Sequence, residues 1–332
     1  MAIIQAVNLK KKFNLEAGFF ARFGRFVYAV NDVSFSIEEN ETYGLVGESG
    51  CGKTTTARLL VRMYEPDEGS VLFHDRENVL TLKRKGLRQY REKVKYIFQD
   101  PARSLNPRMT VYEVLVSGYR WSSRWPGEQK ARAEAASIME EVGMAPSDLE
   151  RRPAEFSGGQ RQRISIARGL IMQPSLLICD EVVSALDVSI QGQILNLLLD
   201  IRGRRNLSFL FIAHDLKVAC YFCDRIGVMY RGELMEEASA ADLYEKALHP
   251  YTKLLFSSVA GKTPAVAQNE MNKEKGFFQS EVKTPVTELA GCAFAERCPL
   301  ADEGCFSGHP ELRILPGEEN KKHPHKVRCF KV

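Results

Sequence analysis

At 332 residues, the chain is long enough for one large domain with an appendage, or for two modest domains. Hydrophobic residues at 44% and charged residues at 27% are the proportions of an ordinary globular protein, which excludes a disordered or fibrous chain. Lys+Arg 46 against Asp+Glu 42 leaves +4, too small and too dispersed a surplus to imply a nucleic-acid partner.

No apolar run reaches the roughly 18–20 residues that cross a bilayer. The best, I-L-N-L-L-L at 194–199, is broken by Asn196 and ended by Asp200. The N-terminus, M-A-I-I-Q-A-V-N-L-K, lacks a basic stretch before a long apolar core and does not read as a secretory signal. A protein of the cytosol, at most peripheral to a membrane, is expected. Eight cysteines in this length do not make a disulfide scaffold, so reduced thiols or metal ligation are expected.

Over residues 1–260, short β-rich apolar runs alternate with longer helical patterns, which predicts an α/β fold. Y-G-L-V at 43–46 reads as a strand entering a glycine-rich loop, and 54–63 as the helix that follows. The basic stretch from Lys83 to Lys95 spaces its charges like a solvated helix face. A strand is expected at 94–98 and an Ala/Glu-rich helix at 128–142. The segment after Gly159 has helical spacing, with Ile164, Ala167 and Ile171 on one face. Buried-type strands follow at 176–179 and 207–213. Residues 261–288 are polar, with little periodicity, and read as a linker. Residues 289–332 form a Cys-, Pro-, Gly- and His-rich segment that needs a staple to hold a fixed shape.

The loop G-E-S-G-C-G-K-T at 47–54 fits G-x-x-x-x-G-K-[ST]. Its glycines let successive backbone N–H groups turn toward phosphate oxygens at the positive end of a helix. Lys53 would neutralise the β/γ-phosphates and the Thr54 hydroxyl would ligate Mg²⁺. Gly47, Glu48, Ser49, Gly50, Cys51, Gly52, Lys53, Thr54 and Thr55 are therefore the candidate nucleotide contacts. Cys51 is compatible with the motif and is expected to make it sensitive to thiol reagents. Asp180 and Glu181 end the apolar run L-L-I-C-D-E. Asp180 suits Mg²⁺, which uses few carboxylates, and Glu181 is placed to polarise an attacking water.

Between these parts lies F-S-G-G-Q-R-Q-R at 156–163. Ser157, Gly158, Gly159 and Gln160 read on their own as a helix N-cap with a flexible approach. Taken with the loop and the acidic pair, they resemble the signature of ATP-binding cassette (ABC) ATPases, and the family's elements occur in its order over about residues 3–260. The resemblance implies a P-loop ABC ATPase fold with a helical signature subdomain at about 105–172. It also implies two cassettes closing on two ATP molecules, each held between one glycine loop and the other cassette's signature. Further roles follow from it alone. Gln99 in Y-I-F-Q-D-P is the Q-loop glutamine touching Mg²⁺ and the water; Asp187 in S-A-L-D belongs to the loop crossing the dimer interface. His214 in F-I-A-H-D-L is the switch histidine at the γ-phosphate. Phe13 matches the aromatic that stacks on adenine, with Tyr28 and Phe26 as competitors and 14–27 as an apparent insertion.

F-Q-D-P-A-R-S-L-N-P-R-M-T-V (98–111), V-S-A-L-D-V-S-I-Q (183–191), V-M-Y-R-G (228–232) and H-P-Y-T-K-L-L (249–255) resemble the oligopeptide/dipeptide importer ATPases, and the first two resemble the second of their paired subunits. That resemblance implies a companion ABC ATPase, giving a heterodimer or, in isolation, a homodimer. It further implies two membrane permeases, an extracytoplasmic peptide-binding protein, and a place at the cytoplasmic face of a prokaryotic membrane. An importer of nickel or sugar, a soluble ABC protein acting on nucleic acid or ribosomes, and an iron–sulfur sensor with nucleotide control are the alternatives. The chain departs from the family at Val182, where Pro is usual, and at Gly169, where Ala is common.

Cys292, Cys298, Cys305 and Cys329 are spaced C-x5-C-x6-C-x23-C. Four thiolates suit a [4Fe–4S] cluster or tetrahedral Zn²⁺, and unligated thiols are the third reading. G-C-A-F-A-E-R-C-P resembles the C-terminal motif of peptide-importer ATPases, some of which carry the cluster. His309, His323 and His325 read as exposed loop residues outside the ligand set. Cys220 and Cys223 read as small buried residues at helical spacing.

Overall fold

A computed structural model describes residues 1–14, 26–258 and 290–332. The expected linker at 261–288 and most of the apparent insertion at 14–27 lie outside the described residues. Strands β1 (Ala2–Asn14), β2 (Phe26–Glu38) and β3 (Thr42–Val46) precede helix α1 (Lys53–Leu60). Strands β4 (Glu68–Phe73) and β5 (Glu77–Asn78), helix α2 (Arg84–Lys93) and strand β6 (Val94–Ile97) follow. Four consecutive helices come next: α3 (Pro101–Ser104), α4 (Val111–Val116), α5 (Glu128–Glu141) and α6 (Gly158–Leu170). After them come β7 (Leu176–Asp180), α7 (Val188–Arg205), β8 (Ser208–Ala213), α8 (Leu216–Phe222), β9 (Arg225–Tyr230) and β10 (Glu233–Ser239). Helices α9 (Ala240–Lys246) and α10 (Pro250–Ser258) lead to the C-terminal segment with α11 (Glu303–Ser307), β11 (Arg313–Ile314) and β12 (Lys326–Val327).

The described chain divides into two units. The first comprises Met1, Ile37–Glu41 and Thr81–Leu210; the second comprises Ala2–Ser36, Thr42–Leu80 and Phe211–Val332. The dividing line passes through β8.

In the first unit β8, β7 and β6 are neighbours, and β6 and β7 run parallel with Val94 opposite Leu176. Every residue of β7 is buried, as expected for a parallel strand covered on both faces. Helices α3–α6 occupy residues 101–170, and two of them begin with reciprocal capping. Thr110 and Glu113 close the start of α4, and Ser157 and Gln160 that of α6. Helix α2 carries the basic stretch as expected: Arg84, Lys85, Arg88, Arg91 and Lys93 are exposed. Gly169, where Ala is common, lies against the strands: an added Cβ would sit 3.1 Å from Leu177 Cδ1 and 3.6 Å from Ile97 Cγ1.

The second unit holds a four-stranded sheet in the order β2-β1-β4-β5 and the strands β11-β12-β10-β9-β3, with β8 beyond β3. Strands β3 and β9 are parallel, whereas β9, β10, β12 and β11 pair antiparallel. The Cys-rich segment thus adds two short strands beside β10, with Glu236 opposite Val327. Strand β10 brings three buried carboxylates, Glu233, Glu236 and Glu237, and the C-terminal segment supplies one partner to each. His309 Nε2 lies 2.9 Å from Glu233, His325 Nε2 2.7 Å from Glu236 and Lys326 Nζ 2.9 Å from Glu237. The expectation that His325 is an exposed loop residue is corrected: it is 3% exposed, packed against the buried Glu236, whose oxygens also accept from Leu248 N at 2.8 Å and His249 N at 3.0 Å. Among the described residues no helix is long and apolar enough to cross a membrane.

Candidate functional site

In the second unit the wholly buried strand β3 delivers the chain into the glycine loop, and α1 begins at Lys53. Gly47 admits no side chain: a Cβ there would lie 2.1 Å from the backbone O of Met229. Lys53 is 4% exposed, and its Nζ donates to Gly47 O at 2.7 Å and Glu48 O at 3.0 Å. The ammonium therefore lies within the curl of the loop, beside the helix start where a phosphate would be neutralised. Thr56 Oγ1 donates to Gly52 O at 3.1 Å, and Gly232 N donates to Cys51 O at 2.9 Å, fixing the rear of the loop. Cys51 is wholly buried, and burial pushes its thiol up against the pull of Lys53. The expected thiol-reagent sensitivity is corrected: neither thiolate nor access is provided.

His214 leaves the end of β8 exposed, and the next residue caps α8. Asp215 Oδ1 accepts from Lys217 N at 2.8 Å and Val218 N at 3.3 Å. The histidine is thus neither core nor cap. Phe13, in β1, is half-buried, with its ring edge-on to Tyr64 at 5.4 Å. Phe26 and Tyr28 are half-buried as well, so exposure does not rank the three.

In the first unit the acidic residues gather around the ends of β6 and β7. Asp180 is 2% exposed and accepts from Tyr96 Oη at 2.5 Å. Gln99 Nε2 donates to Glu181 Oε2 at 2.7 Å. Glu181 has φ +48, a left-handed backbone that a residue with a Cβ adopts only under constraint. The constraint is Ser184, whose N and Oγ both donate to Glu181 O, at 3.1 and 2.9 Å. Val182, at 2% exposure, anchors the same turn by burial where the family usually has Pro. Aspartate oxygen at a buried strand end, with a glutamine amide nearby, is a donor set of the kind Mg²⁺ takes.

The signature is a capped helix start. Gln160 N donates to Ser157 Oγ at 3.3 Å, and Ser157 N donates to Gln160 Oε1 at 3.0 Å. Asp187 caps α7 in the same way, accepting from Ile190 N at 2.9 Å. The two helix starts meet, since a Cβ on Gly159 would lie 2.8 Å from Ile190 Cγ2. The N-cap reading of Ser157 is therefore correct, and the helix terminus remains exposed with its positive end outward.

In the C-terminal segment Cys292 and Cys298 lie within electrostatic reach of each other and of Cys305 and Cys329. Burial pushes Cys292 up to about 11 and raises Cys298; backbone N–H groups of Phe294 and of Leu300 and Ala301 oppose those shifts. Lys331 N donates to Cys329 Sγ at 3.4 Å. Among the described residues no group of three or more His, Cys, Asp or Glu side chains is arranged to hold a metal ion. Cys220 is half-buried and Cys223 buried, and neither is part of a disulfide. Inspection of the sequence missed Tyr96 on Asp180, and Tyr251 and Arg297 on Glu48. All three lay in segments already singled out, Y-I-F-Q-D-P, H-P-Y-T-K-L-L and G-C-A-F-A-E-R-C-P, but none of those motifs states which side chain its residue meets.

Glycine loop, capped signature helix and acidic strand end together define an ATP-binding cassette ATPase. The ABC transporter family matches residues 30–184, and the family described as oligopeptide/dipeptide transporter, C-terminal region, matches 235–305. The chain is 45% identical over 294 residues to the putative oligopeptide transport ATP-binding protein YkfD of Bacillus subtilis, covering 88% of each. It is 41% identical over 313 residues to the oligopeptide transport ATP-binding protein AppF of the same organism, covering 94% of this chain and 93% of AppF. In structure it resembles the dimeric ATP-binding cassette MJ0796 bound to ADP and Pi, with TM-score 0.61 and 26% identity over 71% of this chain and 98% of that one. The chain belongs to the ATP-binding subunits of the oligopeptide/dipeptide ABC transporter family, and it is an ATPase of that class.

Proposed function

We propose that this chain is the ATP-hydrolysing subunit that powers import of di- or oligopeptides. The observation that carries the reading is similarity to peptide-transport ATP-binding proteins along almost the whole chain, beyond the cassette and into residues 235–305. Residues 1–260 act as the nucleotide-binding domain, with residues 105–172 as its helical subdomain and the Cys-rich end as an addition. Phe13 stacks on adenine, and the backbone of residues 47–54 with Lys53 takes the phosphates. Thr54, Asp180 and Gln99 are the residues that would hold Mg²⁺, which would supply charge neutralisation at the phosphates. Glu181, oriented by Gln99 and its strained turn, takes the proton of the attacking water. His214 contacts the γ-phosphate.

Ser157 and Gly159, with Gly158, Gln160 and Asp187, face the ATP of a companion cassette, so an isolated subunit is a poor ATPase at dilution. Two permeases and an extracytoplasmic peptide-binding protein complete the transporter, with this chain on the cytoplasmic face. Cys292, Cys298, Cys305 and Cys329 would hold a [4Fe–4S] cluster. Backbone N–H groups directed at three of these sulfurs support that reading, since such bonds stabilise ligating thiolate. Iron and acid-labile sulfide in anaerobically purified protein test the cluster; colourless, iron-free protein would refute it. Peptide-stimulated ATP hydrolysis by the reconstituted transporter tests the main reading. Stimulation by nickel, sugar or nucleic acid in place of peptide would replace it.

A further inference from the structure

We infer that Arg297, in the Cys-rich segment, is a positioning residue for the nucleotide loop, acting through Glu48; the inference rests on the ATPase reading above. Glu48 is the second residue of the loop, and Arg297 grips its carboxylate with both arms of the guanidinium. Nη1 lies 2.9 Å from Oε2 and Nη2 3.1 Å from Oε1. The arginine side chain is 9% exposed and the glutamate 26%, so the pair is largely withdrawn from water. Two parallel charge-assisted bonds fix direction as well as distance, which a lysine's single point charge does not.

The arginine is itself held. Its guanidinium lies 5.7 Å from the ring centroid of Tyr230 and 5.9 Å from that of Phe294, and Nη1 approaches Tyr230 Oη at 3.4 Å. Tyr230, Tyr251 and Phe294 pack together with centroids 4.6–5.4 Å apart. Tyr251 Oη accepts from Glu48 N at 2.9 Å, so this cluster holds the same loop residue by its backbone as Arg297 does by its side chain. Neighbouring Glu296 pairs with Arg231 at 2.9 Å.

A loop with glycine at 47, 50 and 52 has little stiffness of its own. Its phosphate-binding shape must be imposed from outside, and the pair at Glu48 does this from a segment about 250 residues away in sequence. Arg297 also ends the turn between Cys292 and Cys298. Whatever seats those cysteines therefore seats the arginine. The expected consequence is that the Cys-rich segment sets affinity for ATP, leaving the chemical step untouched.

The test is a double-mutant cycle of Arg297→Gln, Glu48→Gln and both together, in the complete transporter, with KM for ATP, kcat and melting temperature measured in parallel. Arg297→Gln should raise KM about tenfold with kcat at saturating ATP within about twofold, because removing one partner leaves the other charge uncompensated. The double variant should be no worse than either single one, and Arg297→Lys should fall between wild type and Arg297→Gln. An unchanged KM, or additive effects in the double variant, would overturn the inference even if the melting temperature fell. Absence of ATP turnover in the wild-type transporter would overturn the ATPase reading together with this one, whereas normal wild-type turnover confines a failure to the role of Arg297.

Discussion

Replacing Glu181 by glycine or by alanine separates what the acidic strand end costs in stability from what it does in chemistry. The left-handed φ of +48 costs a residue with a Cβ about 1–2 kcal/mol and costs glycine almost nothing. Against that gain, glycine gives the unfolded chain added freedom worth about 0.5–1 kcal/mol. Both variants lose the hydrogen bond from Gln99, worth about 0.5–1 kcal/mol. Glu181→Gly should therefore melt within about 2 °C of wild type. Glu181→Ala keeps the strain and loses the bond, so it should melt below the glycine variant, a reversal of the order expected in a helix or strand. Both should lose at least about 100-fold in ATP turnover. Thermal denaturation of the three proteins with turnover measured on the same samples reads both effects. An alanine variant as stable as the glycine variant would refute the strain argument, and near-wild-type turnover in either would remove Glu181 from the role of base.

Further outcomes follow from the same geometry. Gly47→Ala should abolish ATP binding measured by calorimetry, because its Cβ cannot share space with Met229 O 2.1 Å away. Cys51 should resist alkylation in native protein and react in denaturant, as mass spectrometry of the labelled peptide would report. His249 is buried, with its Nδ1 accepting from Tyr251 N at 3.0 Å, and burial lowers its pKa to about 4. Its neutral form is the one the fold retains, so the unfolded chain binds the extra proton between the two pKa values. Stability from this residue is complete above about pH 6.5 and is lost as pH falls toward 4. His249→Asn retains an acceptor and should flatten the melting-temperature decline between pH 7 and 5; an unchanged slope would count against this origin.

Much of the nucleotide machinery is legible in the sequence because each part is local. A buried strand, a glycine turn and a helix start are contiguous at 42–60, and a capping pair or a strand ending in Asp180-Glu181 spans only a few residues. Boundaries differ by no more than a few residues: the helix expected at 128–142 is Glu128–Glu141, and the strand at 176–179 is Leu176–Asp180. What the sequence hides is long-range. E-L-M-E-E looks like a polar surface run, yet Glu233, Glu236 and Glu237 are buried, met by His309, His325 and Lys326 from 76 to 89 positions away and by other groups such as Asn31 and Arg225. The strands that carry those partners, Arg313–Ile314 and Lys326–Val327, are two residues long and too short to show a period. The burial of Cys51 is hidden for a related reason, since a motif states which residue occupies the loop but not which neighbours close over it.

That ATP hydrolysis at this chain drives peptide entry is tested most directly by uptake of a labelled oligopeptide into proteoliposomes. These would carry this chain with the companion cassette, two permeases and binding protein proposed for it. Wild-type protein should accumulate peptide only with ATP and Mg²⁺ on the cytoplasmic side, and Glu181→Gln should bind ATP yet abolish uptake and hydrolysis together. Peptide accumulation by the Glu181→Gln transporter at the wild-type rate, or wild-type hydrolysis that peptide never stimulates, would contradict that coupling.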